Sequence, residues 1–291
     1  MDTTKELPTV IAFCAGYGGI ERGLDLAGFE HRVIAYVEIE AFAIANLVNK
    51  MEAGQLPPAP IYTDLKTFPA HLFRDRVDLI TGGYPCQPFS AAGQRKGTDD
   101  PRHLWPFIRR HIESIRPVQC FFENVDGHIS LGLSTVISDL EEDGYRATWG
   151  IFSAREVGAP HQRKRVYILA DSQSKFGKRG FAKRVGSGKS QKTIGGRGAF
   201  ESVADTICSR SKAGISGQER YNKERDARVS INCGGEHGRW QIGMPWPPEP
   251  GVGRVVDGCA DRVDRIRMLG NGVVPQAAAK AYLTLKVRGL K

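Results

Sequence analysis

The N-terminal part of the chain repeats one unit, a β-strand followed by a turn and an α-helix. Residues 9–14 (TVIAFC) form an apolar run rich in strand-forming side chains, and the glycine turn AGYGG joins it to apolar residues at helical spacing. A second strand is predicted over residues 31–37 and a second helix over residues 41–51. Two such units in succession predict a parallel sheet, because parallel neighbours need a crossover connection between them.

Further segments extend this alternation along the chain. Strands are predicted over residues 77–81, 118–122 and 166–170, and helices over residues 103–115, 131–142 and 275–287. With 41% hydrophobic residues among 291, the chain can bury a substantial core. The body is therefore predicted to be an open α/β sandwich.

The regular pattern stops after Ala170, where a stretch rich in Gly, Ser and Lys begins. Residues 172–240 hold 15 Lys or Arg and 6 Asp or Glu, whereas the rest of the chain holds 26 of each. This segment therefore carries the whole formal net charge of +9. It suits a polyanion, which releases condensed counterions on binding, but a solvated basic loop explains the charge equally well. Because helical patterning returns at residues 275–287, the segment is predicted to be an insertion.

Several classes of protein are disfavoured by what the sequence lacks. No apolar run reaches the roughly 18 residues of a membrane span, and the N-terminus lacks the features of a secretory signal. The six cysteines are scattered, without a CxxC pair or histidines at metal-ligand spacing. We therefore expect a cytoplasmic protein with free thiols, no metal site and no membrane contact.

The glycine turn predicts a cofactor site. Gly16, Gly18 and Gly19 let the backbone approach a ligand beside a helix N-terminus. Glu38 follows Gly18 by 20 residues and ends the second strand, where its carboxylate can accept hydrogen bonds from ribose hydroxyls, and Asp64 can serve an adenine at the third strand. An ordinary tight turn with two surface acids is the alternative. Together, in this register, the features favour a cofactor that contains adenosine.

Two reactive side chains follow predicted strands. Cys86 lies just beyond the strand at residues 77–81, between Pro85 and Pro88, and Glu123 follows the next apolar run. Open α/β sheets bind ligands at this carboxyl edge, so a nucleophile and an acid there suggest covalent catalysis with proton transfer. A helix cap or an ion pair is the alternative for Glu123.

The run QRKRV, residues 162–166, contains two arginines separated by one residue. If a strand begins here, Arg163 and Arg165 point to one face and can bind a phosphate or a polar base edge. A solvated basic face is the alternative.

Six motifs then occur in a characteristic order, namely FCAGYGG, VEIE, GGYPCQPFS, FFENV, QRKRV and LGNGVVP. In these motifs the sequence closely resembles the DNA (cytosine-5)-methyltransferases. The resemblance implies a Rossmann-like sheet that binds S-adenosyl-L-methionine, with a small inserted target-recognition domain. It implies a catalytic and cofactor-binding domain over residues 1–171, a target-recognition domain over 172–264 and a C-terminal segment, 265–291, that returns to the first domain.

The resemblance also assigns roles to individual residues. The catalytic residues would be Cys86, Glu123, Arg163 and Arg165. The cofactor would be bound by Phe13, Gly16, Tyr17, Gly19, Glu38, Ile39, Asp64, Leu65, Pro85, Asn271, Gly272 and Val273. DNA would be bound by Gln87, Ser90, Arg163, Arg165 and the basic segment 172–240.

The implied reaction is methylation of carbon 5 of a flipped-out cytosine in double-stranded DNA, by a monomer that has a possible cognate restriction endonuclease. His161 stands where the family commonly has Gln, and Gly272 where it commonly has Ser. Three other functions remain open. An RNA methyltransferase carries the same motifs, and a non-catalytic DNA-binding relative would keep the fold. A nicotinamide-dependent dehydrogenase is disfavoured, because its fingerprint needs a glycine where Glu21 stands.

Overall fold

A mixed β-sheet forms the centre of the computed structural model, which describes residues 6–85, 104–173 and 270–289. All three ranges belong to one compact unit. The strands are β1 (Thr9–Phe13), β2 (Arg32–Val37), β3 (Ile61–Tyr62), β4 (Leu79–Gly82), β5 (Gln119–Val125), β6 (Tyr145–Ser153) and β7 (Lys164–Ser172). The helices are α1 (Gly19–Leu26), α2 (Ala41–Glu52), α3 (Trp105–Ile115), α4 (His128–Leu131), α5 (Leu133–Glu142) and α6 (Pro275–Gly289).

The strand order within the described residues is β3-β2-β1-β4-β5-β7-β6. The neighbours from β3 to β5 pair in parallel, and this part of the predicted parallel sheet is confirmed. For β7 the sequence predicts only a buried strand without a direction, and this strand runs antiparallel to both β5 and β6. The physical reason is a short connection: a backbone hydrogen bond of 2.9 Å from Ala154 to the carbonyl of Gln162 closes the turn between β6 and β7. Such a hairpin joins antiparallel strands.

The direction of β7 determines where the functional side chains meet. Because β7 is antiparallel to β5, its N-terminal end lies beside the carboxyl end of β5, with Arg165 opposite Val125 and Tyr167 opposite Glu123. The loop that carries Arg163 is therefore at the same edge of the sheet as the ends of β1, β4 and β5.

The core occupies both faces of the sheet. Alternate residues of β1 face opposite sides, so Ile11 and Phe13 belong to one buried cluster and Val10 and Ala12 to the other. Helices α3 and α5 cover the first cluster, and helices α1 and α6 cover the second. Helix α6 packs closely on α1, since a Cβ placed on Gly23 would lie 2.7 Å from the Cβ of Ala278.

Most predicted helices are present with small changes at their ends. The helix predicted over residues 131–142 is instead two helices, α4 and α5, separated by Gly132, whose backbone is extended. Residues 174–264 lie outside the described part of the chain, so the predicted target-recognition domain stays a prediction. Within the described ranges, no helix is long and apolar enough to cross a membrane, and no group of three metal-ligating side chains is present.

Candidate active site

The glycine turn after β1 has a backbone that only glycine tolerates well. Gly16 and Gly18 have φ angles of 55° and 79°, in the left-handed region where side chains are strained. Gly19 excludes a side chain for another reason, which is steric: a Cβ there would lie 2.7 Å from the carbonyl oxygen of Val273. The turn therefore brings backbone close to the C-terminal segment of the chain.

Glu38 joins this turn to the end of β2. Its buried carboxylate accepts three backbone N–H groups, from Gly16 at 2.7 Å, Ile39 at 2.8 Å and Glu40 at 2.9 Å. Such bonds to a carboxylate are among the stronger ones in proteins. The side chain is thus fixed at the carboxyl edge of the sheet, and its contact with a ribose stays a prediction.

A cleft opens between the glycine turn and the C-terminal segment. Seven of the predicted cofactor residues line it, namely Phe13, Gly16, Tyr17, Gly19, Asn271, Gly272 and Val273. Cys14, Ala15, Ile20, Glu21 and Gly83 complete the lining. The structure thus brings together residues from both ends of the chain in one cavity.

The other predicted cofactor residues do not line this cleft. Ile39 is 71% exposed beyond β2, where its apolar side chain is open to contact. Asp64 accepts a hydrogen bond of 2.8 Å from the backbone N–H of Lys66, and Leu65 is buried in the core. Pro85 is exposed at the end of β4.

Glu21 was considered in the sequence only as the residue that breaks a dinucleotide fingerprint. In the structure it lies 2% exposed in the lining of the cleft and accepts a hydrogen bond of 2.5 Å from the hydroxyl of Thr81. Burial raises its pKa above the ordinary value. No periodicity in the sequence indicates that this helical acid points inward, since the inward direction depends on how α1 packs.

Glu123 lies in β5, near its carboxyl end, and is only 6% exposed. Burial raises its pKa to about 7, although the nearby guanidinium groups of Arg165 and Arg163 oppose this rise. The Nε atom of Arg165 lies 2.9 Å from Oε1 of Glu123. A carboxyl group with this pKa can both donate and accept a proton near neutral pH.

Arg163 has a different environment from the one predicted. It precedes β7 with a φ of 36°, so the strand alternation that would place it beside Arg165 does not apply. Its guanidinium group donates to the carbonyl of Gly270 at 2.8 Å and to the carbonyl of Gly272. Arg163 therefore attaches the C-terminal segment to the edge that carries Glu123.

Cys86, Gln87 and Ser90 lie outside the described residues. The chain that leads to them from the end of β4 is held by hydrogen bonds. Asn124 donates to the carbonyl of Tyr84 at 3.1 Å, and the hydroxyl of Tyr84 lies 3.2 Å from Nε2 of His128. The sequence analysis does not single out Asn124, Tyr84 or His128. Asn124 could have been found, because it adjoins Glu123 and is a polar residue in a buried strand.

The fold and the site define a Rossmann-like α/β protein with a cleft at the carboxyl edge of its sheet and an ionisable carboxyl group beside it. Comparison with known families narrows this class. The sequence model for C-5 cytosine-specific DNA methylases matches residues 9–229. The chain belongs to this family.

Curated relatives agree with this assignment. The Type II methyltransferase M.NaeI of Lentzea aerocolonigenes is 33% identical over 172 residues, which cover 57% of this chain and 40% of the relative. The Type II methyltransferase M.NgoMIV of Neisseria gonorrhoeae is 34% identical over 167 residues, covering 56% and 51%. The chain thus spans about half or less of the length of these relatives.

Two solved structures match part of this chain. DNMT2 of Spodoptera frugiperda, in a mutant form, has 22% identity and a TM-score of 0.48, covering 57% of this chain and 50% of its own. The Dnmt2 methyltransferase of S. pombe has 24% identity and a TM-score of 0.45, covering 58% and 51%.

Proposed function

We propose that the protein transfers a methyl group from S-adenosyl-L-methionine to carbon 5 of cytosine in double-stranded DNA. Membership of the C-5 cytosine-specific DNA methylase family and relatives named Type II methyltransferases support this proposal. The observation that carries it is Glu123, a buried carboxyl group with a pKa of about 7 at the sheet edge from which the Cys86 segment continues.

The chemistry needs a nucleophile and an acid. Carbon 5 of cytosine is a poor nucleophile until a group adds at carbon 6, and the Cys86 thiolate would form that bond. Glu123 would donate a hydrogen bond or a proton to N3 of the ring, which stabilises the enamine-like intermediate. Carbon 5 would then take the methyl group, which leaves S-adenosyl-L-homocysteine as the other product. Transfer of the carbon 5 proton to solvent would restore the double bond between carbons 5 and 6 and release the Cys86 sulfur as a thiolate, and a proton held at N3 would return to Glu123.

Arg165 and Arg163 have different supporting roles in this proposal. Arg165 would keep the Glu123 carboxyl group oriented through its 2.9 Å contact and limit the rise of its pKa. Arg163 would keep the wall of the cleft in place, because it donates to the carbonyls of Gly270 and Gly272.

The cleft suits the adenosine-containing cofactor. Its glycine turn exposes backbone, its lining includes Phe13 and Val273, and the fixed Glu38 carboxylate bonds to the same turn. These residues, with Gly16, Tyr17, Gly19, Asn271 and Gly272, would hold S-adenosyl-L-methionine, and Ile39, Asp64, Leu65 and Pro85 would border it. When bound, the cofactor supplies an electrophilic methyl group.

DNA binding would involve parts of the chain outside the described residues. A stacked cytosine offers neither face to a thiol, so the base must be extruded from the duplex at a cost of a few kcal/mol. Residues 172–264, with the basic segment 172–240, would choose the target, and Gln87 and Ser90 would contact DNA near Cys86. We further propose that the protein acts as a monomer in a restriction-modification system with a cognate endonuclease.

A transfer assay tests the proposal. The full chain is incubated with tritium-labelled S-adenosyl-L-methionine and either duplex DNA or transfer RNA, with Cys86→Ala as the control variant. Label in DNA that is lost in Cys86→Ala, and a covalent complex with 5-fluorocytosine DNA, are the expected results. Label in RNA alone would make the protein an RNA methyltransferase, and no label in either would contradict the proposed activity.

A further inference from the structure

The side chain of Tyr17 connects the two ends of the chain. Tyr17 belongs to the glycine turn after β1, and its hydroxyl donates a hydrogen bond to the carbonyl of Val273 in the C-terminal segment. The Lys50 ammonium group donates to the backbone carbonyl of Tyr17 at 2.6 Å and lies 5.1 Å from the centre of its ring. The ring is therefore held from two sides.

Gly272 lies directly against this ring. A Cβ at residue 272 would lie 1.9 Å from Cε1 of Tyr17, 2.8 Å from Cδ1 and 2.9 Å from Cζ. Cβ atoms in proteins essentially never lie within 3.0 Å of another heavy atom to which they are not bonded. The phenol ring thus occupies the space that any side chain at residue 272 would need.

The backbone of Gly272 does not itself require glycine. Gly272 is absent from the described glycines with positive φ, which include Gly16 and Gly18. An L-residue would therefore suit the backbone at position 272, and the three atoms nearest to its Cβ all belong to the neighbouring ring. The exclusion of a side chain at residue 272 thus comes from its packing against Tyr17 and not from the backbone conformation.

Both residues form the wall of the same cleft. Tyr17 and Gly272 line it together with Val273, and Arg163 holds the carbonyl of Gly272 from the other side. A displaced ring would release the Val273 carbonyl and open the contact between the glycine turn and the C-terminal segment. The position of this wall therefore depends on the fit between residues 17 and 272.

We propose that Tyr17 and Gly272 are a matched pair of positioning residues that fixes the C-terminal wall of the cleft, so that residue 272 must lack a side chain while residue 17 is Tyr. The pair itself follows from the contacts of the chain. Its effect on S-adenosyl-L-methionine binding rests on the proposed function.

Thermal unfolding of the full chain without ligand tests the pair independently of any activity. We expect Gly272→Ala to lower the melting temperature by about 5 °C or more, and the same change to have little effect in a Tyr17→Ala background, which lacks every ring atom. Gly127→Ala is the matched control, because among the described residues a Cβ at Gly127 meets nothing within 4 Å. Equal melting of Gly272→Ala and wild type, or equal loss in both backgrounds, would overturn the pair.

Calorimetric titration with S-adenosyl-L-homocysteine tests the consequence for the cleft. Gly272→Ala is expected to weaken binding at least tenfold, Gly127→Ala to bind like wild type, and the double variant Y17A/G272A to bind nearly as well as Y17A. Unchanged binding in Gly272→Ala would overturn the role of the pair in positioning the wall. If wild type does not bind this ligand, the cofactor assignment fails, and the melting experiment still decides whether the pair exists.

Discussion

The raised pKa of Glu123 predicts a specific change of stability with pH. Burial moves this pKa from 4.5 to about 7, so the folded protein holds a proton on Glu123 that the unfolded chain has released. A group whose pKa is raised on folding stabilises the fold below its unfolded value, and this stabilisation is lost as the pH rises through the folded value. The window of change therefore runs from about pH 4.5 to about pH 7.

The perturbation is Glu123→Gln, which keeps the shape of the side chain and cannot ionise. One unit of pKa corresponds to about 1.4 kcal/mol, so the advantage of the variant over wild type should grow by about 2 to 3 kcal/mol between about pH 5 and about pH 8. At the acidic end Glu123 is mainly protonated and resembles Gln. At the basic end wild type must either ionise the buried group or take up a proton.

Urea unfolding, monitored by circular dichroism across this pH range, measures the difference directly. Glu141→Gln serves as the matched control, because Glu141 is an exposed acid on α5. The control difference should stay flat with pH. A flat difference for Glu123→Gln as well would refute the reasoning, since it would mean that Glu123 titrates alike in the folded and unfolded chains.

Three further perturbations probe other parts of the chain. Cys86→Ala should abolish methyl transfer and leave DNA affinity nearly unchanged in a gel-shift assay, and unchanged turnover would remove Cys86 from the mechanism. Exchange of residues 172–264 for those of a relative should change the methylated sequence, whereas persistence of the old target would place sequence choice elsewhere. Gly23→Ala should destabilise the fold by about 1 to 3 kcal/mol in urea unfolding, because the added methyl group would meet Ala278 between α1 and α6. Gly127→Ala, whose Cβ meets nothing within 4 Å among the described residues, should cost much less, and equal losses would contradict the predicted packing.

The sequence predicts the central strands of the sheet because these strands are buried on both faces and therefore read as continuous apolar runs. Strand β1 is apolar on both faces and is followed by glycines, so periodicity alone identifies a buried strand and its turn. Strand β6 was missed, since Arg146, Thr148 and Gly150 interrupt its apolar pattern and Trp149 is 42% exposed at the sheet edge. Without β6, nothing in the pattern indicates that β7 reverses direction.

The sequence also predicts only part of the candidate site. Glu38 and Glu123 could be placed at the carboxyl edge because each follows an apolar run. The carbonyl contacts of Arg163 could not be foreseen, since they join residues 107 and 109 positions apart and depend on the return of the C-terminal segment. The contact of Tyr17 with Gly272 likewise depends on side-chain packing between distant parts of the chain, which no local spacing encodes.

The most direct test of the proposed activity is a map of methylated cytosines. The full chain is expressed in a bacterium that lacks cytosine methylation, and the genomic DNA is sequenced after bisulfite conversion. A C-5 cytosine DNA methyltransferase should leave protected cytosines within one short sequence motif, and Cys86→Ala should leave none. Complete conversion in cells that contain folded wild-type protein would contradict DNA methylation as its function.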